Sequence, residues 1–189
     1  VWTPKGAASY ADSLVDRTGN GNNAYAGAAP TWAAGTGWHF DPADYLLVNF
    51  GAASDQSQSM VVRCQEDNWA WSKAICAQYG GAANRDFGLS VGSGKYRYDN
   101  GGGCNGPTGY TSNMVLGIIG NKGYRHTVHE CTVGGFVGAS TASKMAVGGR
   151  WVGTYLDKGW KGWVYGWMIW DRVITEAEFF EARTQLLAL

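Results

Sequence analysis

The densest set of reactive side chains is His126-Thr127-Val128-His129-Glu130-Cys131, where two imidazoles, a carboxylate and a thiol, all zinc-ligand types, lie together. The spacing works against a metal. On a strand His126 and His129 fall on opposite faces, and the helical metalloprotease pattern would need its second histidine where Val133 stands. Gly88-Leu89-Ser90-Val91-Gly92 has the letters of a hydrolase nucleophile elbow, but Ser93–Tyr98 continues as turn and strand where that chemistry needs a helix. Gly19–Ala24 resembles a relaxed dinucleotide fingerprint, and the following Tyr25–Pro30 cannot open the helix that would cradle a pyrophosphate. A glycosidase needs two carboxyl groups roughly 5–10 Å apart. Glu66 and Asp67 are adjacent in a loop, Asp41 and Asp44 share a turn, and Glu176 and Glu178 start a helix, so no acid pair is readable.

Tryptophan is the remaining chemical resource. Indole stacks on the C–H faces of sugars, while sugar hydroxyls need a few polar partners nearby. Trp163–Trp170 reads as a strand with both faces covered: alternation sets Trp163, Tyr165, Trp167 and Ile169 against Val164, Gly166, Met168 and Trp170. Trp69, Trp71 and Trp160 stand instead in polar loop contexts, and Tyr96 and Arg97 lie beside a turn. These five, Trp69, Trp71, Tyr96, Arg97 and Trp160, are the candidate glycan contacts.

The elements that must position them are short strands. The chain has 29 Gly, 10 Trp, 10 Tyr, 6 Phe and only 4 Pro, a balance of tight turns and strand-forming residues. Strands are expected at Tyr45–Val48, Ser59–Gln65, Lys73–Tyr79, Asp86–Val91, Lys95–Tyr98, Met114–Ile119, Tyr124–Val128, Met145–Gly148 and Trp163–Trp170, with Gly37–Phe40 a shorter segment and Arg17–Asn23 a hairpin turn. Thr175-Glu176-Ala177-Glu178 is a capping box, and Phe179, Phe180, Arg183, Leu186 and Leu187 follow at helical spacing, so one helix closes the chain. The expectation is an all-β, two-sheet antiparallel jelly-roll sandwich with one short C-terminal helix, in a single domain over 1–189. If Ser59–Gln65 and Lys73–Tyr79 form a hairpin about residue 70, Cys64 faces Cys76 within disulfide reach, which makes Cys64 and Cys76 the candidate bridge; Cys104 and Cys131 stay open. Fifteen Lys and Arg balance 15 Asp and Glu, which argues against nucleic acid as a partner, and no apolar run is long enough for membrane insertion. No secretion signal is visible in Val1–Gly6.

Leu14–Asn22, Ala29-Pro30-Thr31-Trp32, Gly37–Asp41 and Asp44-Tyr45-Leu46 resemble the opening of concanavalin A-like (laminin-G-like) jelly-roll domains. Met145–Gly149 is similar to the penultimate strand of that family, and Gly162–Glu178 to its last strand, Asp-Arg turn and capped helix. Ser59–Arg63 and Gly117–Arg125 are most similar to such domains in bacteriophage virion proteins. The resemblance implies a non-enzymatic role in capsid decoration or in a tail or fibre, located on the virion, with other virion proteins, a second copy or host-surface polysaccharide as partners. A secreted glycan-cleaving enzyme on the same sandwich, or a bacterial cell-surface adhesion module, is the alternative. Where the family often has Asn-Gly this chain has His129-Glu130, and neither a calcium-ligand cluster nor a glucanase acid motif carries over, so no cofactor is expected.

Overall fold

The structure, a computed structural model, describes residues 1–49, 58–67, 73–79, 86–92, 94–100, 103–108, 113–134, 144–152 and 154–189. After a short 3-10 turn (Pro4–Gly6) and a four-residue helix α1 (Tyr10–Ser13), the chain forms strands β1 (Ala24–Ala28), β2 (Thr31–Ala33), β3 (Gly37–Phe40), β4 (Tyr45–Asn49), β5 (Ser59–Glu66), β6 (Lys73–Tyr79), β7 (Asp86–Gly92) and β8 (Lys95–Asn100). These are followed by β9 (Gly103–Thr108), β10 (Met114–Ile119), β11 (Lys122–Arg125), β12 (Val128–Thr132), β13 (Lys144–Val147), β14 (Arg150–Trp151), β15 (Leu156–Asp157), β16 (Gly162–Trp170) and the helix α2 (Glu176–Ala188). One sheet runs β12-β11-β10-β5-β16-β3-β2 and the other β1-β4-β13-β6-β7-β8-β9, with β14 and β15 beside it. All pairings are antiparallel except β14 with β6. This is the expected sandwich, with the unforeseen α1 added.

Between the sheets lies the main core, with Trp2, Trp38, Phe40, Trp160 and Trp167 at or near zero exposure. A second core forms outside the seven-stranded sheet, where Phe179, Ala182 and Leu186 of α2 cover Val61, Val115 and Met168. The helix can sit this close because the sheet beneath it is bare at two positions: a Cβ on Gly117 would meet the Phe179 ring at 2.3 Å, and one on Gly166 would meet Leu186 at 2.5 Å. The capping box of α2 is formed as expected, Glu178 N–H donating to Thr175 Oγ1 at 3.2 Å and Thr175 N–H to Glu178 Oε2 at 2.7 Å.

Three expectations change. The Tyr124–Val128 strand is broken at His126, which takes φ of 53° and turns the chain from β11 into β12. Arg17–Asn23 does not join two paired strands; it is a loop leading from α1 to β1, folded around Asp16, whose carboxylate accepts from Thr18 N–H, Thr18 Oγ1–H and Asn22 N–H. And β16 is not evenly alternating. Val164 pairs with Cys64 but Gly166 with Arg63, so Tyr165 is the extra residue of a bulge. Past it the faces exchange: Val164, Trp167 and Ile169 turn to the main core, Met168 and Trp170 to α2, and Trp163 and Tyr165 outward.

The Cys64–Cys76 bridge is not formed. β5 and β6 belong to different sheets, so the chain between them crosses the sandwich and does not close a hairpin; both thiols are free and buried, with Cys76 Sγ 3.1 Å from Met60 Sδ. The bridge joins Cys104 on β9 to Cys131 on β12 with Cα atoms 6.0 Å apart, and so ties the edge strand of one sheet to the edge strand of the other. Closing a loop of 27 residues of sequence separation removes unfolded-state entropy. Replacing both Cys104 and Cys131 by Ala should lower unfolding stability by about 3–4 kcal/mol in urea melts. In denaturant without reductant, the native chain should titrate two of its four thiols; four would show the staple absent.

Candidate functional site

The bulge at Tyr165 builds a polar-aromatic platform on the outer face of the seven-stranded sheet, beyond the C-terminal end of α2. Cross-strand pairing sets Thr31 beside His39, His39 beside Trp163, and Trp163 beside Gln65. Trp163 is half-buried, and its ring meets the His39 imidazole with centroids 4.7 Å apart. His39 Nε2 lies 2.7 Å from Asp67 Oδ2, which fixes the imidazole against the indole. Tyr165 O–H donates to Gln65 Oε1 at 2.9 Å, so the Gln65 side chain keeps its amide N–H groups as donors. The Arg63 guanidinium lies 5.0 Å from the Tyr165 ring centre, and Lys5 Nζ 5.8 Å from it. Arg63 is itself immobilised: Nε donates to Asn113 Oδ1 at 2.7 Å and Nη1 to the Leu186 carbonyl at 2.8 Å, at the end of α2. The result is an aromatic surface ringed by amide, hydroxyl, imidazole and carboxylate groups whose rotamers are already chosen.

Of the five residues singled out by sequence, the three that are described share no surface. Trp69 and Trp71 lie outside the described residues. Tyr96 is 1% exposed, because on β8 it alternates with Arg97 and faces the core. Trp160 is 0% exposed: its backbone N–H donates to the Gly148 carbonyl, and its ring packs near Phe40 inside the end of the sandwich. Both were expected to be open to solvent, and both are core. Of the three described, only Arg97 is exposed, on the outer side of the other sheet, where Nε pairs with Asp99 Oδ1 at 2.7 Å. His39, Gln65, Asp67, Trp163 and Tyr165 were missed. Gly166, a glycine inside a strand pattern, was the available sign that alternation would slip there.

Cys131 is in the disulfide, the His129 ring lies 2.9 Å from the Cys131 carbonyl, and Glu130 is held by Arg125 at 2.6 Å and by Tyr98 O–H at 2.6 Å. Among the described residues no three His, Cys, Asp or Glu side chains converge on a metal position. A cleft of about 270 Å³ opens among Trp2, Thr18, Asn20, Asn22, Gln58 and Trp170. Asp16 on its wall is already engaged by Val1 N and by Thr18 and Asn22, so its oxygens serve the loop.

No family model and no curated protein matches the sequence. Solved structures do share the fold. The chain is similar to the receptor-binding domain of botulinum neurotoxin C/D mosaic serotype, with a TM-score of 0.65 and 12% identity over 98% of this chain and 51% of that one. It therefore spans about half the length of that toxin domain. It is also similar to domain 4 of an extracellular arabinanase from Geobacillus stearothermophilus, solved with arabinotriose, with a TM-score of 0.64, 16% identity, 89% of this chain and 91% of that one covered. A third is the CBM40 of a Ruminococcus gnavus sialidase, bound to α2,3-sialyllactose, with a TM-score of 0.54 and 10% identity over 70% and 83% of the two chains.

Glu130 has a side chain 1% exposed, and Asp67 is committed to His39. Glu66, at the end of β5, has both oxygens sealed from solvent and without a hydrogen-bond partner among the described residues. Burial, and after it the charge of Asp67, pushes its pKa from 4.5 up to about 8. A folded-state pKa above the unfolded one means stability is full below about 4.5 and is lost as pH rises through about 8. Glu66→Gln should therefore flatten the pH dependence of urea melts between pH 5 and 9, and stabilise the chain at pH 9 by roughly 1–3 kcal/mol. An unchanged slope would show that Glu66 ionises freely in the folded chain.

Proposed function

We propose that this chain is a non-catalytic carbohydrate-binding module and that the Trp163 platform is where it meets sugar. The observation that carries the reading is the half-buried Trp163 indole, flanked by His39 and Gln65, whose polar groups are fixed by Asp67 and Tyr165. Stacking on the indole supplies apolar contact, and the surrounding groups supply hydroxyl partners without further ordering cost. The carbohydrate ligands of the arabinanase domain and of CBM40 support the same class of partner. The engagement of Asp67 by His39, and of Glu130 by Arg125 and Tyr98, supports binding over hydrolysis. The likeness of Ser59–Arg63 and Gly117–Arg125 to phage jelly rolls supports a place on a virion, where the module would decorate the particle or grip host polysaccharide; a cell-surface or extracellular setting uses the same platform.

Trp163→Ala should weaken retention on the polysaccharide selected from a glycan array at least about tenfold in affinity electrophoresis. Because Trp163 lies outside both cores, the melting temperature should fall far less than for Trp167→Ala. Retained binding in Trp163→Ala would sink the assignment of the site. An array with no binding, for a protein that melts cooperatively, would sink the function.

A further inference from the structure

From the run of the platform across the sheet, and resting on its reading as a sugar site, we infer that it binds an internal stretch of a linear, unbranched polysaccharide and does not cap a chain end. Thr31, His39, Trp163 and Gln65 form one cross-strand row over β2, β3, β16 and β5. Three strand spacings make the row about 14 Å long. A sugar ring advances a chain by roughly one such spacing, about 5 Å, so the row offers contacts to about three consecutive units. Trp163 sits in its interior, with a polar side chain on either side, which suits a ring that has neighbours in both directions.

The surroundings agree with passage rather than enclosure. β2 is the edge strand of the sheet and Thr31 on it is exposed, so the row runs off the molecule there. Tyr165, with Lys5 beside its ring, lies further along β16 than the row and so stands beside it, not across it. A chain-end binder needs a wall that meets the terminal hydroxyl. Here the fixed groups, the His39–Asp67 pair and the Gln65–Tyr165 pair, instead flank a central ring.

The test is calorimetry of the full chain with α-1,5-arabinan and β-1,4-glucan oligosaccharides of one to six units, native and with both ends chemically blocked, beside the glycan array. Affinity in a ladder that binds should rise at least tenfold from the monosaccharide to the trisaccharide, then by less than about twofold to the hexasaccharide, and end-blocking should not reduce it. Gln65→Ala and Thr31→Val should each lower trisaccharide affinity several-fold. A monosaccharide that binds as tightly as the trisaccharide, or binding abolished by end-blocking, overturns the inference while leaving the sugar site standing. Failure of both ladders together with an empty array overturns the site itself. If only other glycans bind on the array, the same length and end-block comparison on the strongest of them decides.

Discussion

The bulge at Tyr165 governs how the seven-stranded sheet divides its side chains. β16 lies between β5 and β3 and must serve two cores, one between the sheets and one under α2. Uninterrupted alternation would carry Trp163, Tyr165, Trp167 and Ile169 to one face. One extra residue lets Val164 and Trp167 both turn inward, where Trp167 stacks on Trp2 at 4.4 Å, while Trp163 and Tyr165 stay outside. It also brings Gly166 under the end of α2, where only a hydrogen at Cα fits against Leu186. The inner packing, the seat of the helix and the outward aromatic pair thus depend on one local register shift, and none of the three can be changed without disturbing the others.

Much of the fold was legible because strand and turn signals are local. Lys73–Tyr79 and Met114–Ile119 can be read from β-branched and apolar runs bounded by turn residues, and the capped α2 from Thr175 and Glu178. What failed was non-local. Whether β5 pairs with β6 or faces it from another sheet is a matter of topology, and that choice decides between Cys64–Cys76 and Cys104–Cys131. Polar context in sequence likewise misplaced Trp160. The segment around Trp160 looks like a loop, yet the ring is needed to plug the end of the main core beside Phe40. The candidate site was illegible for the opposite reason: Trp163 sits in a run so apolar that it reads as core, and only the slipped register exposes it.

The platform's partners are fixed by contacts the fold makes for its own stability. Arg63 closes the carbonyl end of α2 through Leu186 and, with the same guanidinium, lies over Tyr165. Tyr165 in turn holds Gln65, and Asp67, whose N–H donates to the Lys161 carbonyl, holds His39. Side chains ordered this way have already lost the rotamer entropy that a ligand would otherwise have to offset, about 0.5–1.5 kcal/mol for each one immobilised. A shallow surface can bind under these conditions because little has to move when the ligand arrives. It also follows that loosening α2 at Leu186 should reach the platform through Arg63 before it reaches the main core, since the helix and the platform lie on the same face of the sheet.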